Sequence, residues 1–263
     1  MLNELLSKEN LAMLYKKTSV LYGLFCGGAV APVAFAHRLN ISVWLGIVIA
    51  AVILVLGTIV SYWLAGKITA RICRTQFEEL EPERALRRFE RELSTKKATE
   101  QIPFAALFVS QSYLTMGEFK SAEQTLMAFL NKSDSDKGKI EAMSMLVTVY
   151  TLAAKPELAV NAYKKLEGEI SGKTLTEGEK LSAETAKYTA LLAAGKPEEC
   201  IDYFKAECAT QKLNLRNVTM SFRLGEAYAA LGNEAEAEHA YRIVAENGKD
   251  IYVARAARQR LNN

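Results

Sequence analysis

The sequence predicts an all-helical chain in two parts. The first is an N-terminal two-helix transmembrane hairpin. The second is an α-solenoid of about four and a half helix pairs with a C-terminal capping helix. Ile41 to Ala65 is twenty-five residues without a charge. Small residues recur at Ala85, Ala122, Ala159, Cys200 and Ala237, spaced 37, 37, 41 and 37 apart. Residues 1–65 are mostly apolar and the rest is charged, periodic and poor in proline, so a mean hydropathy of zero averages two unlike parts.

Taken in order, residues 1–17 are expected to form an amphipathic leader on the membrane surface, with Leu2, Leu5, Leu6 and Met13 toward one side. Thr18 to Ala36 is an apolar segment of nineteen residues, rich in glycine and alanine. The Gly23-x-x-x-Gly27 spacing permits close approach of another membrane helix, and Pro32 is expected to kink the segment. His37 to Asn40 makes a turn. Residues 41–65 then form the stronger span: at about 1.5 Å per residue they cover roughly 37 Å, more than a bilayer's hydrocarbon core. Trp44 lies near one end and Tyr62-Trp63 near the other, where interfacial aromatic belts fall. No reactive group lies inside the span, which reads as an anchor and not a transport path. A competing reading takes Lys16-Lys17, the apolar run and Ala34-Phe35-Ala36 as a cleaved signal peptide.

Charge bias sets the expected orientation. Lys8, Lys16 and Lys17 precede the hairpin, Lys67, Arg71 and Arg74 follow it, and the turn carries only Arg38. Both termini and the repeat domain are therefore expected in the cytoplasm of a two-span membrane protein.

Residues 66–100 read as a juxtamembrane basic helix pair, residues 101–249 as the repeats, and residues 250–263 as the cap. The clearest unit is Phe222 to Tyr241. Leu224-Gly225-x-x-Tyr228 lies on one helix, Gly232-Asn233 in the turn, and Ala237-x-x-x-Tyr241 on the second helix. The frame recurs at Tyr113…Gly117…Ala122-x-x-x-Leu126, at Tyr150…Ala159-x-x-x-Tyr163 and at Tyr188…Gly195…Cys200-x-x-x-Phe204, with a half copy at Ala85-x-x-x-Phe89. This pattern resembles the tetratricopeptide repeat, over about three quarters of the chain. The period is longer than that family's common one, so longer loops are expected, as at Asn131 to Lys139 and Glu167 to Lys180. Gly66 to Glu79 stands where the first helix of the half copy belongs, so the second span is expected to run on into the first repeat. Ile251, Ala254 and Leu261 of the last helix are expected inward and Arg255, Arg258 and Arg260 outward, as a solenoid cap requires.

The resemblance implies a partner protein or peptide bound on the concave face by the first helix of each pair. Here that face comprises Leu107, Gln111, Ser144, Thr148, Thr185, Thr189, Phe222 and Glu226. It lacks the Lys and Asn residues with which the chaperone-binding branch clamps a terminal carboxylate. Arg84, Arg87, Arg88 and Arg91, at i, i+3, i+4, i+7 spacing, form a stripe near the membrane that suits contact with anionic lipid headgroups or a solvated face.

Nothing in the sequence spells catalysis. There is no phosphate loop, dinucleotide turn, nucleophile elbow or His/carboxylate metal pattern. No catalytic, metal or cofactor-binding residue is assigned, and no enzyme is expected. A net charge of +3 without interleaved exposed aromatics gives no case for nucleic acid. Cys200 and Cys208 are expected on one helix, about 12 Å apart and too far for a disulfide; reduced thiols are expected for Cys26, Cys73, Cys200 and Cys208. His37 and His239 are read as turn or surface residues. The sequence thus points to a membrane-tethered scaffold or adaptor. Its alternative is a structural subunit of an integral translocation or secretion complex, docked through Gly23 and Gly27.

Overall fold

A computed structural model describes residues 14–36, 38, 42–93, 98–132, 138–209 and 214–262. The leader residues Leu2, Leu5, Leu6 and Met13, His37 and part of the loop after Asn131 lie outside them. The described residues form thirteen α-helices and one 3-10 turn, with no strand among them.

Helix α1 (Lys16–Ala34) runs antiparallel to α2 (Val43–Phe77). Tyr15 Oη and Thr69 Oγ1 share a buried hydrogen bond of 2.7 Å beside the start of α1. Farther along, Gly57 lies so close to the Phe25 ring that a Cβ there would come within 2.3 Å of it. Gly46 approaches the Pro32 carbonyl in the same way, at 2.8 Å. The glycines that permit close approach are therefore on α2. Gly23 and Gly27, which the spacing nominated, meet nothing within 4 Å.

Among the described residues only α2 is long and apolar enough to cross a membrane. Helix α1 starts on Lys16-Lys17 and is diluted by its glycines. Ser42 caps α2, accepting from the Leu45 N–H at 3.2 Å. The helix passes Gly66 without a break and continues to Phe77.

Its distal end is built into the first core. Ile72 packs with Ala85 and Phe89 of α3 (Pro82–Glu92). Beyond a short helix α4 (Ala98–Gln101), Phe104 and Phe108 of α5 (Pro103–Met116) join the same cluster. Phe89 meets Tyr15 and Phe104 edge to face, at centroid distances of 6.3 and 6.0 Å.

The helices that follow pack in consecutive pairs. Helix α5 pairs with α6 (Phe119–Lys132), and α7 (Lys139–Leu152) with α8 (Pro156–Ile170). Helix α9 (Glu177–Ala193) is followed by the 3-10 turn Pro197–Cys200, which leads into α10 (Ile201–Cys208). Helix α11 (Leu215–Ala230) pairs with α12 (Glu234–Asn247), and α13 (Tyr252–Leu261) ends the series. Proline in the first turn starts α3, α5 and α8, where its missing N–H costs nothing. Thr176 and Glu179 form a capping box on α9. Gly117 takes the left-handed φ of 90° that closes the α5–α6 turn.

Ala85, Ala122, Ala159, Cys200 and Ala237 are all buried, on the second helix of each pair or at its start. Gly225 lies under the Tyr241 ring, where a Cβ would come within 2.6 Å. Cys200 and Cys208 do not share one regular helix: the first ends the 3-10 turn and the second ends α10. All four cysteines are free.

The two ends of this helical series meet. Leu80, held at a left-handed φ of 53° after α2, packs with Leu215, Val218 and Ile251. The Tyr252 ring covers Gly117 and meets Phe119 edge to face at 4.8 Å. Arg255 was expected outward. Instead it reaches across to donate to the Met116 carbonyl at 2.7 Å, because α13 docks on α5. Ile251, Val253, Ala254 and Ala257 form the apolar side of α13.

Candidate binding cavity on the inner helices

The first helices of the pairs share a face, and helical spacing decides what they put on it. On α7, Ser144 and Thr148 lie one turn apart; on α11, Arg216, Thr219, Met220 and Arg223 do the same. Together with Phe77, Gln111, Leu114, Met145 and Thr185 they line a central cavity of about 300 Å³. Of the eight residues expected on the concave face, Gln111, Ser144, Thr148 and Thr185 reach this cavity. Phe222 and Glu226 line a second one of about 520 Å³, with Leu192, Tyr252 and Arg260. Leu107 and Thr189 reach neither cavity. Leu107 packs against α6, and the Thr189 hydroxyl donates to the Thr185 carbonyl at 2.6 Å.

Most of the polar groups here are engaged. Glu226 accepts from Tyr241 Oη at 2.5 Å and from Nε and Nη2 of Arg260, each at 3.1 Å. Burial, and then this carboxylate, hold the Tyr241 hydroxyl protonated well above its usual range. Arg216 pairs with Glu207 at 2.7 Å and donates to Thr185 Oγ1 at 3.3 Å. Thr185 in turn shares a 2.7 Å hydrogen bond with Tyr203 Oη.

Arg223 stands apart, and it was not among the residues singled out from the sequence. It lies on both cavity walls and is only 3% exposed. Its Nη2 donates to Thr148 Oγ1 at 2.8 Å, its Nη1 contacts the Met220 sulfur at 3.8 Å, and its Nε has no partner. No carboxylate pairs with it among the described residues. Burial pushes its pKa down to about 10, and neighbouring Arg216 adds to the fall. The available signal was its spacing of four and seven residues from Thr219 and Arg216. Beside Phe222 and Leu224, an arginine reads as a solvent position.

The arginine stripe is exposed on α3, opposite buried Ala85 and Phe89. Arg84 pairs with Glu81 at 2.9 Å and Arg87 with Glu83 at 3.1 Å. Arg88 and Arg91 make no ion pair among the described residues. His239 is exposed, as expected. No cluster of three or more His, Cys, Asp or Glu able to hold a metal occurs among the described residues. Burial raises the Cys73 thiol to about 12 and the Cys200 thiol to about 11, so neither is poised as a nucleophile.

Comparison of the chain with protein-family models, with curated proteins and with solved structures finds no match in any of the three.

Proposed function

We propose that this chain is a membrane-tethered, tetratricopeptide-like scaffold that binds a partner protein or peptide on the cytoplasmic side. The observation that carries the reading is the unbroken α2, whose apolar half continues into a half built into the first helix pair. An anchor continuous with the body of the protein serves positioning. Helix α1 is the second span in this reading. Its outer face carries Val20, Leu24, Val30 and Val33, all exposed like the apolar side chains of α2. Lys67 sits over the Trp63 ring at 3.9 Å, an arrangement suited to the cytoplasmic membrane interface. Both termini are placed in the cytoplasm by the lysine and arginine bias. The consecutive helix pairs and the buried small residue of each unit support the repeat assignment. Gln111, Thr185 and Glu226 are the half-exposed members of the inner face and the points at which a partner touches it. Arg88 and Arg91, without an ion pair among the described residues, face lipid headgroups.

A second reading, a structural subunit of an integral membrane complex, is favoured by one observation: the open face of α1 at Gly23 and Gly27. Photo-crosslinking in intact membranes separates the two. A crosslinker at Thr185 is expected to capture a protein partner and one at Leu24 only lipid. Capture of an integral protein from Leu24 alone would refute the scaffold reading in favour of the subunit.

A further inference from the structure

We propose that the central cavity binds a small organic monocarboxylate with an apolar body. This goes beyond the scaffold reading and does not depend on it. A buried guanidinium without a counter-charge is destabilising, and buried donors without acceptors are rare in folded proteins. The cavity holds two such groups on adjoining walls. One is Arg223, with an unpartnered Nε; the other is Ser144, whose buried Oγ has no partner. Ser144 lies one turn before Thr148, which accepts from Arg223, so the orphan hydroxyl and the guanidinium border one spot. A ligand oxygen satisfies both once a small side-chain shift uncovers these solvent-shielded atoms.

The chemistry of the walls narrows the class. The planar fork of an arginine matches a carboxylate. Arg216, the other cation on the wall, is already neutralised by Glu207. Arg223 is the cation on this wall with no paired carboxylate among the described residues. Glu141 lies one turn before Ser144 on α7, lines the same cavity and has an interaction partner of its own. Its carboxyl disfavours a second acidic group on the ligand. Phe77, Leu114, Met145 and Met220 supply apolar surface on the same wall. The volume of about 300 Å³ sits at the small end of ligand sites, which run roughly 300–1,000 Å³. A cavity of this volume favours a compact ligand over an extended peptide.

The test uses the full chain in detergent micelles. Isovalerate, benzoate and phenylpropionate are each compared with their primary amide, by saturation-transfer NMR and by the shift in melting temperature. At least one acid is expected to bind, with its amide about tenfold weaker or worse. Arg223→Met is expected to remove the preference for the acid, and Ser144→Ala to weaken acid binding about fivefold. Arg242→Gln, on the outer face of α12, is expected to leave binding unchanged. Equal binding of acids and amides, no binding of any acid, or a preference that survives Arg223→Met overturns the assignment. Should Arg223→Met fail to fold, Ser144→Ala decides, and an unchanged affinity in that variant overturns it. Binding of an acidic peptide with no binding of the acids also overturns it, assigning the charge to a protein partner.

Discussion

Replacing Arg223 by methionine should make the protein more stable. The guanidinium's pKa falls from its usual 12.5 to about 10 on burial. At about 1.4 kcal/mol per pKa unit, holding the charge inside costs the folded state about 3 kcal/mol. Methionine keeps most of the aliphatic stem and loses the hydrogen bond to Thr148, worth about 1 kcal/mol. The balance is a gain of about 2 kcal/mol, in line with buried charges replaced by apolar residues of similar volume. For a domain of this size that raises the melting temperature by about 4–8 °C. Far-ultraviolet circular dichroism of the full chain in micelles at neutral pH measures it. A melting temperature below that of the parent would mean that the guanidinium is satisfied in the empty cavity. The reasoning that assigns it to a ligand would then fail.

Other perturbations probe the rest of the architecture. Ala237→Trp should lower the melting temperature, since overpacking a buried helix crossing costs roughly 1–3 kcal/mol; an unchanged curve would mean that the repeat frame is misplaced. Single cysteines at Asn40 and Asn263 in a cysteine-free background should react with an impermeant thiol reagent from outside intact cells only at Asn40; labelling at Asn263 would reverse the topology. A fragment from Gly66 onward should bind anionic vesicles and release them at high salt, and replacing Arg84, Arg87, Arg88 and Arg91 by Gln should abolish this. Equal binding to neutral vesicles would return the stripe to an ordinary solvated face. Burial and Glu123 raise the Tyr150 hydroxyl from 10.0 to about 12, so its contribution to stability is present below pH 10 and lost as pH rises through about 12. Tyr150→Phe should therefore lose less stability than the parent over that window in alkaline melts, and identical losses would exclude Tyr150 as a contributor.

Helical character, the long apolar helix and the buried small residues were legible because each rests on local sequence pattern. Ala85 and Ala237 needed only their spacing to be placed in the core. The unbroken α2 followed from Gly66 to Glu79 standing where the first helix of the half copy belongs. What the sequence hid depends on residues far apart in the chain. Nothing local says that Arg255 will bond Met116, or that Leu80 will pack on Leu215 and Ile251. Without that closure the inner face reads as an open groove, and Leu107 and Thr189 as groove residues. The glycines at the contact between α1 and α2 were not legible for a related reason. Gly23 and Gly27 have the helix-packing spacing, yet whether Gly46 or Gly57 meets α1 depends on its register against Pro32 and Phe25. Arg223 was missed because sequence gives a charged residue no sign of its depth.

The continuity of α2 also sets a mechanical gain. The helix is unbroken from Val43 to Phe77, so in the proposed membrane-tethered arrangement the helix pairs turn with it as one lever. A helix tilts when the bilayer around it thins or thickens. A body of this many residues is about 40 Å across, so tipping by about 10° displaces its far edge by roughly 7 Å. Bilayer thickness, a property of lipid composition, would thereby be converted into a lateral position above the membrane.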